Sequence, residues 1–191
     1  MMSLNHQEYT FPDEVPVLSS KRLNLVELTE DHVKDIFEIY SNDYVTKYDD
    51  CYSFTSINHA LDAINLFKQS FENRTGIRWG ISIKNEKKII GNIGFSHFEP
   101  FHTGKVGFAL NVKYWNMGIC TEAIREVLQF GFNVLKIHRV EAESHPKNIA
   151  SGQVLEKNGF KKEGRLRDFA FWKGSHQTID MYSKLSQDPN N

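Results

Sequence analysis

The 191-residue chain is short of cysteine, of any charge excess and of long apolar runs, and each shortage removes a class of protein. Its two cysteines, Cys51 and Cys120, lie far apart and form neither a CxxC pair nor a disulfide framework. A disulfide-stapled scaffold is thus excluded, and a reducing compartment with both thiols in the core is expected. Lys plus Arg total 23 against 24 Asp plus Glu, so the basic footprint of a nucleic-acid binder is missing. No stretch approaches the roughly 18 apolar residues of a membrane span, and the N-terminus has no apolar segment behind positive charge. The expectation is a cytoplasmic protein with no membrane partner. His138 and His145 stand at no metal-ligand spacing from a cysteine or carboxylate, so no metal is expected.

What is present is ordinary globular material, with 40% hydrophobic and 25% charged residues. That length suits a single domain over residues 1–191, with a core of about 21–185 and loosely held ends at 1–16 and 187–191. Neither an internal repeat nor a second domain is visible. A strand over 22–28 ends at the cap-like Thr29, and Val33, Ile36, Phe37 and Tyr40 then recur at helical spacing until Asn42-Asp43 closes the helix. The aromatic stretch 44–54, broken by Asp49-Asp50, reads as loop. Ser56 caps a second helix carrying Ala60, Leu61, Ile64 and Phe67.

From Ile77 the period becomes two, and Ile77, Trp79, Ile81 and Ile83 alternate with polar or small residues. A reversal at 85–87 leads into 89–95, and 104–112 makes a third antiparallel strand. A helix from Gly118, a strand over 139–144, a short helix over 148–157 and aromatic strands near 168–172 and 177–185 follow. The order β-α-α-β-β-β-α-β-α-β-β predicts an α+β (mixed α/β) sheet with helices on both faces. The late aromatic strands offer a surface on which two subunits would pair as a homodimer.

Chemistry concentrates in two stretches. In Lys113 to Asn133, Gly118 stands where a strand hands over to an apolar-faced helix, and such a helix start offers unsatisfied N–H groups to an anion. Glycine lets backbone approach a ligand, Cys120 is small, and Thr121 adds a hydroxyl. The second stretch, Ser144 to Gly164, pairs a strand end with a short helix carrying Asn148, Ser151 and Asn158-Gly159-Phe160.

Tyr114, Trp115, Gly118, Thr121, Glu122 and Ala123, followed by Asn148, Ser151, Leu155, Lys157, Gly159, Phe160 and Glu163-Gly164, together resemble the GCN5-related N-acetyltransferase (GNAT) superfamily. The likeness is to its ribosomal-protein N-terminal (alanine/serine) acetyltransferase branch. The resemblance implies a twisted, mostly antiparallel sheet whose central strands splay, and metal-free transfer of an acetyl group from acetyl-CoA to an amine, such as a protein N-terminus, through a tetrahedral intermediate. It implies that Phe108, Ala109, Leu110 and Val112 line the pantetheine, and that Asn116, Met117, Gly118, Ile119, Cys120 and Thr121 hold the pyrophosphate. It further implies that Asn148 contacts the cofactor, and that Ser151 binds it and protonates the leaving thiolate. Capping its own helix is the other role open to Asn148.

The chain departs from the family pattern at Trp115 and Cys120, and at Leu155, where many members carry a tyrosine acid. Lys105 stands where a glutamate base is common, leaving Glu99, Glu143, His97 or a water chain as candidates for the base. The basic residues Lys161, Lys162, Arg165 and Arg167 read as a solvated strand face, or as contacts to the cofactor's 3′-phosphate or to an acidic peptide. Acceptor walls are expected in 44–54, dense in Tyr, Phe and Asp and suited to a cationic ligand, and in 97–103. Two alternatives stand beside this reading: acetylation of a small amine (polyamine, amino acid or antibiotic), and a silent acyl-CoA-binding module.

Overall fold

Period-two patterning and helical stripes become the elements they predict. Strands β1 (Leu18–Ser19), β2 (Leu23–Glu27), β3 (Ile77–Ile83), β4 (Ile89–Phe98), β5 (Thr103–Leu110), β6 (Arg139–Ser144), β7 (Lys161–Trp172) and β8 (Ser175–Leu185) appear in a computed structural model that describes residue 9 and residues 11–189. They form one sheet in the order β1-β2-β3-β4-β5-β6-β8-β7. The helices are α1 (Val33–Tyr40), α2 (Asp43–Thr46), α3 (Ile57–Glu72), α4 (Ile119–Asn133) and α5 (Ile149–Lys157). This is the expected mixed α+β architecture.

Two apolar layers sandwich the sheet. On one face Ile119, Ala123, Ile124 and Val127 of α4 and Leu155 of α5 pack onto Leu23, Trp79, Ile81, Ile93 and Val106. On the other, Ile36 and Ile39 of α1 and Ala60 and Ile64 of α3 pack onto Leu28, Ile89 and Ala109. Burying each such aliphatic side chain contributes about 1.5–3 kcal/mol before the entropic cost of ordering it. Trp79, fully buried, meets the Phe130 ring edge-on at 5.3 Å and donates its indole N–H to the Pro16 carbonyl at 2.7 Å.

That last bond ties the segment before β1 to the core. The segment before β1 is not loosely held over its described part: Phe11 is buried and stacks on Phe98 at 5.6 Å. Nor are residues 187–189 loose, because Asp188 accepts from Lys161 Nζ and from the Leu185 N–H. Residues 1–8, 10 and 190–191, also expected to be loose, lie outside the described residues.

Three further differences have local causes. Asn42 does not close α1 but caps the one-turn α2, its Oδ1 accepting from the Tyr44 N–H at 3.0 Å. Strand β7 begins at Lys161, well before the aromatic residues at 168–172. Its first half carries no apolar alternation because it is matched to β8 by charge, with Lys162 and Arg165 both paired to Asp180. The 97–103 segment, expected at the active mouth, instead ties to residues beyond α4: Phe101 N–H donates to the Lys136 carbonyl and His138 N–H to the His102 carbonyl.

Candidate active site

The sheet opens at the one parallel pair among the described residues. β5 and β6 are paired only at Thr103/Arg139, Gly104/Val140 and Lys105/Glu141, after which both strands run on without a ladder between them. Towards β4, the Asn111 N–H donates to the Ile90 carbonyl, and the same alternation turns the backbone of Gly107 and Ala109 to β4. The N–H groups of Phe108 and Leu110 therefore face the gap. An open strand edge inside a protein is a template for another extended chain.

A cleft of about 630 Å³ occupies this gap, within the size range of small-molecule sites. Phe108, Ala109 and Leu110 form one wall, with Glu143, Ser144 and Asn148 across from them. Asn116, Gly118, Ile119, Cys120 and Thr121 make the floor at the start of α4, and Ser151 lies on the α5 side. Val112 and Met117 are not part of it. Val112 is carried away by the 3₁₀ turn Val112–Tyr114, and Met117 is 55% exposed on the outer side of its turn.

The α4 turn is built to be rigid. Gly118 caps the helix at φ 72°, and Asn116 is also left-handed at φ 61°. Only the glycine takes that conformation without strain, and the N–H groups of 119–121 consequently open into the cleft. Arg22 fixes the outer rim, donating to the Met117 carbonyl at 3.0 Å and to Glu122 Oε2 at 2.6 Å. Burial alone raises the Glu122 carboxyl pKa, but the hydrogen bonds from Ser20 and Arg22 prevail and hold it below its ordinary value. An acid in the first turn also suits the helix dipole.

Trp115, the first departure from the family pattern, donates its indole N–H to the Leu110 carbonyl at 2.8 Å, where β5 loses its neighbour. Cys120, the second, is an apolar filler: burial raises its thiol pKa to about 12, so it stays protonated. Cys51 is likewise raised to about 11, first by burial and then by Asp49 and Asp50. Asn148 does cap α5, its Oδ1 accepting from the Ser151 N–H at 3.3 Å. Ser151 Oγ makes no hydrogen bond among the described residues.

The acid and base candidates separate. Glu143 lies in the cleft but is paired with Lys105 at 2.7 Å. Glu99 is placed elsewhere, exposed on the far turn beside His102 at 3.7 Å. The structure therefore removes Glu99, and with it the neighbouring His97 and His102, from the site, because that turn sits at the paired end of β5 and the gap opens at the other. The run after α5 does not line the cleft either: Lys161, Lys162 and Arg165 are ion-paired to Asp188 and Asp180. Lys147 and Lys157 are the lysines at the cleft's α5 side. Lys157 belongs to the second matched stretch, whereas Lys147 is a lone lysine beside it with no further signal in the sequence.

The acceptor side was legible only as an aromatic segment. Tyr44, Val45, Lys47, Tyr48 and Asp49 complete the lining, with Tyr48 stacked on His145 at 5.0 Å across the mouth. Asp49 is half-buried, and burial, reinforced by Asp50 and opposed by Lys173 and Arg78, raises its pKa to about 6. The Asp49-Asp50 interruption in the aromatic run was its only sequence signal. Among the described residues no group of His, Cys, Asp and Glu could hold a metal ion, and no helix is long and apolar enough to cross a membrane.

Similarity to known proteins agrees with this geometry. Residues 22–161 match the family model described as acetyltransferase (GNAT) domain. The uncharacterized N-acetyltransferase YoaA of Bacillus subtilis is 34% identical over 88% of this chain and 96% of its own. The [ribosomal protein uS5]-alanine N-acetyltransferase of Escherichia coli is 28% identical over 56% of each chain. The fold is shared with a crystal structure of a Bacillus anthracis GNAT-family acetyltransferase, with TM-score 0.81 and 24% identity over 91% of this chain and 100% of that one. A model match over most of the chain and a relative this similar over most of both chains establish that the chain belongs to the GNAT acetyltransferase family and is an N-acetyltransferase.

Proposed function

We propose that this protein, working as one domain, moves the acetyl group of acetyl-CoA onto a primary amine, and that the acceptor class is a protein N-terminal amine of ribosomal-protein type. The observation that carries the proposal is the opening between β5 and β6 above the left-handed Gly118 turn. An extended pantetheine arm fits the unpaired edge at Phe108 and Leu110, and a pyrophosphate fits the 119–121 N–H groups at the start of α4. Lys147 and Lys157 at the α5 side supply positive charge for a further phosphate.

The chemistry asks for little beyond placement. An amine held near a thioester carbonyl reacts with the advantage of proximity, and a backbone donor at the end of β5 stabilises charge developing on the carbonyl oxygen. Ser151 Oγ, free of other hydrogen bonds among the described residues, is the group assigned to give the leaving sulfur its proton. The acceptor class draws on the E. coli relative that acetylates a ribosomal protein's alanine and on an acceptor wall of aromatic and acidic residues.

Thiol release from acetyl-CoA is the test, followed across peptides beginning with Ala or Ser, with alaninamide and spermidine for comparison. The peptides are expected to be the better substrates. Faster release with spermidine would move the acceptor class to small amines. Acetyl-CoA binding without release to any amine would leave only an acyl-CoA-binding module.

A further inference from the structure

The chain places a carboxylate on the acceptor side of the cleft, outside both recognised stretches. Asp49 follows α2, and its own N–H closes that turn onto the Thr46 carbonyl at 2.9 Å. Lys173, from the turn between β7 and β8, donates to the same carbonyl at 2.6 Å, so two elements distant in sequence fix the segment. Asp49 lines the cleft with Gly107, Glu143 and Ser151. Among the described residues its carboxylate has no salt bridge and accepts no hydrogen bond. Glu143, the other cleft carboxylate, is engaged by the Lys105 ammonium at 2.7 Å.

From this arrangement we infer that Asp49 is the catalytic residue that receives the proton of the acceptor ammonium, an inference that rests on the acetyl-transfer reading above. A protein N-terminal amine, with a pKa of about 7.7–8.0, is mostly ammonium at neutral pH and must lose a proton before it can attack. A half-buried carboxylate without donors of its own attracts that ammonium and takes its proton, which then passes to solvent through the open mouth. The neutral nitrogen bonds to the thioester carbon, and the C–S pair leaves on sulfur. The nitrogen's second proton balances the one the sulfur gains through Ser151. One proton is thus released overall, and Asp49 is its first stop.

The charged and titratable groups around Asp49 fit this role. Arg78 reaches in from β3, with Nη1 donating to the Gly107 carbonyl at 3.0 Å and to Asn92 Oδ1 at 3.3 Å. Tyr40 from α1 shares Asn92, while Lys173 comes from the β7–β8 turn and Asp50 and Cys51 from the same segment. Tyr44, Lys47 and Tyr48 from its own segment and Glu143, His145 and Lys147 from across the cleft are further titratable groups of the lining. Burial and Asp50 outweigh the two cations, leaving a group that titrates at about 6 and is therefore ionised and basic near neutrality.

The test is the pH profile of kcat for thiol release with the amine panel above, in wild type, Asp49→Asn and Asp49→Glu, with acetyl-CoA binding measured by calorimetry. Wild type should lose kcat as pH falls through about 6. Asp49→Asn should lower kcat by roughly 10²-fold and abolish that limb, with acetyl-CoA affinity within about twofold, and Asp49→Glu should recover part of the rate. Unchanged acetyl-CoA binding shows that the variant is folded, which a merely structural loss would not leave intact. An Asp49→Asn enzyme that keeps its rate or its acid limb overturns the inference while the acetyl-transfer reading stands. Wild type that binds acetyl-CoA yet acetylates nothing in the panel also overturns it, and wild type that binds no acetyl-CoA removes both.

Discussion

Two side chains carry opposite electrostatic histories. Asp49 is held above its ordinary carboxylate value and Ser151 carries no charge, and each predicts a separable defect. Because Asp49's folded pKa of about 6 exceeds its ordinary 3.8, the folded state binds the extra proton between those values, and stability falls as pH rises through that window. Asp49→Asn should therefore unfold at higher denaturant than wild type above pH 6, by about 1–2 kcal/mol after discounting for partial exposure, with no difference near pH 3. Equal stability at both pH values would contradict the assignment. Ser151→Ala should lower kcat by roughly 10–100-fold while acetyl-CoA affinity changes less than about twofold, read from thiol release and calorimetry. Residues with a family motif around them, such as Asn148 and Ser151, were legible in the sequence. Asp49 showed only as part of a break in an aromatic run, since its importance comes from burial and from a segment that Lys173 ties down at the Thr46 carbonyl, 127 residues away.

At the scale of elements the decisive feature is α4 and the turn before it. A Cβ built at Gly118 meets only Arg22 Nη2, at 3.5 Å, so a side chain there has room and the cost lies in its φ of 72°. Gly118→Ala is expected to cost roughly 1 kcal/mol, lowering Tm by about 2–4 °C, and to weaken acetyl-CoA several-fold because the 119–121 N–H groups are re-aimed. Differential scanning calorimetry and titration check the two halves separately. The apolar stripe of α4 and the alternation of β3 announced these elements in the sequence. The early half of β7 was hidden because its pairing runs through Asp180, Lys162 and Arg165 rather than through apolar alternation. The mislocated 97–103 turn has a related cause. Alternation identifies β5 as a strand, but which end of it opens is set by where β6 stops pairing, and no local pattern records that.

For the whole molecule, three ion-paired carboxylates set the acid limit. Lys88, with Lys113, holds Glu38 at about 2; Arg139, with Ser183, holds Glu163 there; and Arg165, with Lys162, does so for Asp180. Their folded values lie below their ordinary 4.5 and 3.8, so the stability they lend is present above about pH 4.5 and lost as pH falls toward 2. Denaturation midpoints should drop steeply across that window, and Asp180→Asn should flatten the drop. These pairs join α1 to Lys88 just before β4 and to the 3₁₀ turn, and β6 to the β7–β8 hairpin, so acid loosens the contacts between these elements. The central claim concerns that gap itself, and residue-resolved amide hydrogen exchange with and without acetyl-CoA tests it most directly. Protection on binding should rise at Phe108 and Leu110, the open edge of β5, and at 119–121, while the already paired Gly107 and Ala109 change little. Acetyl-CoA that binds and leaves Phe108, Leu110 and 119–121 exchanging as before would contradict it.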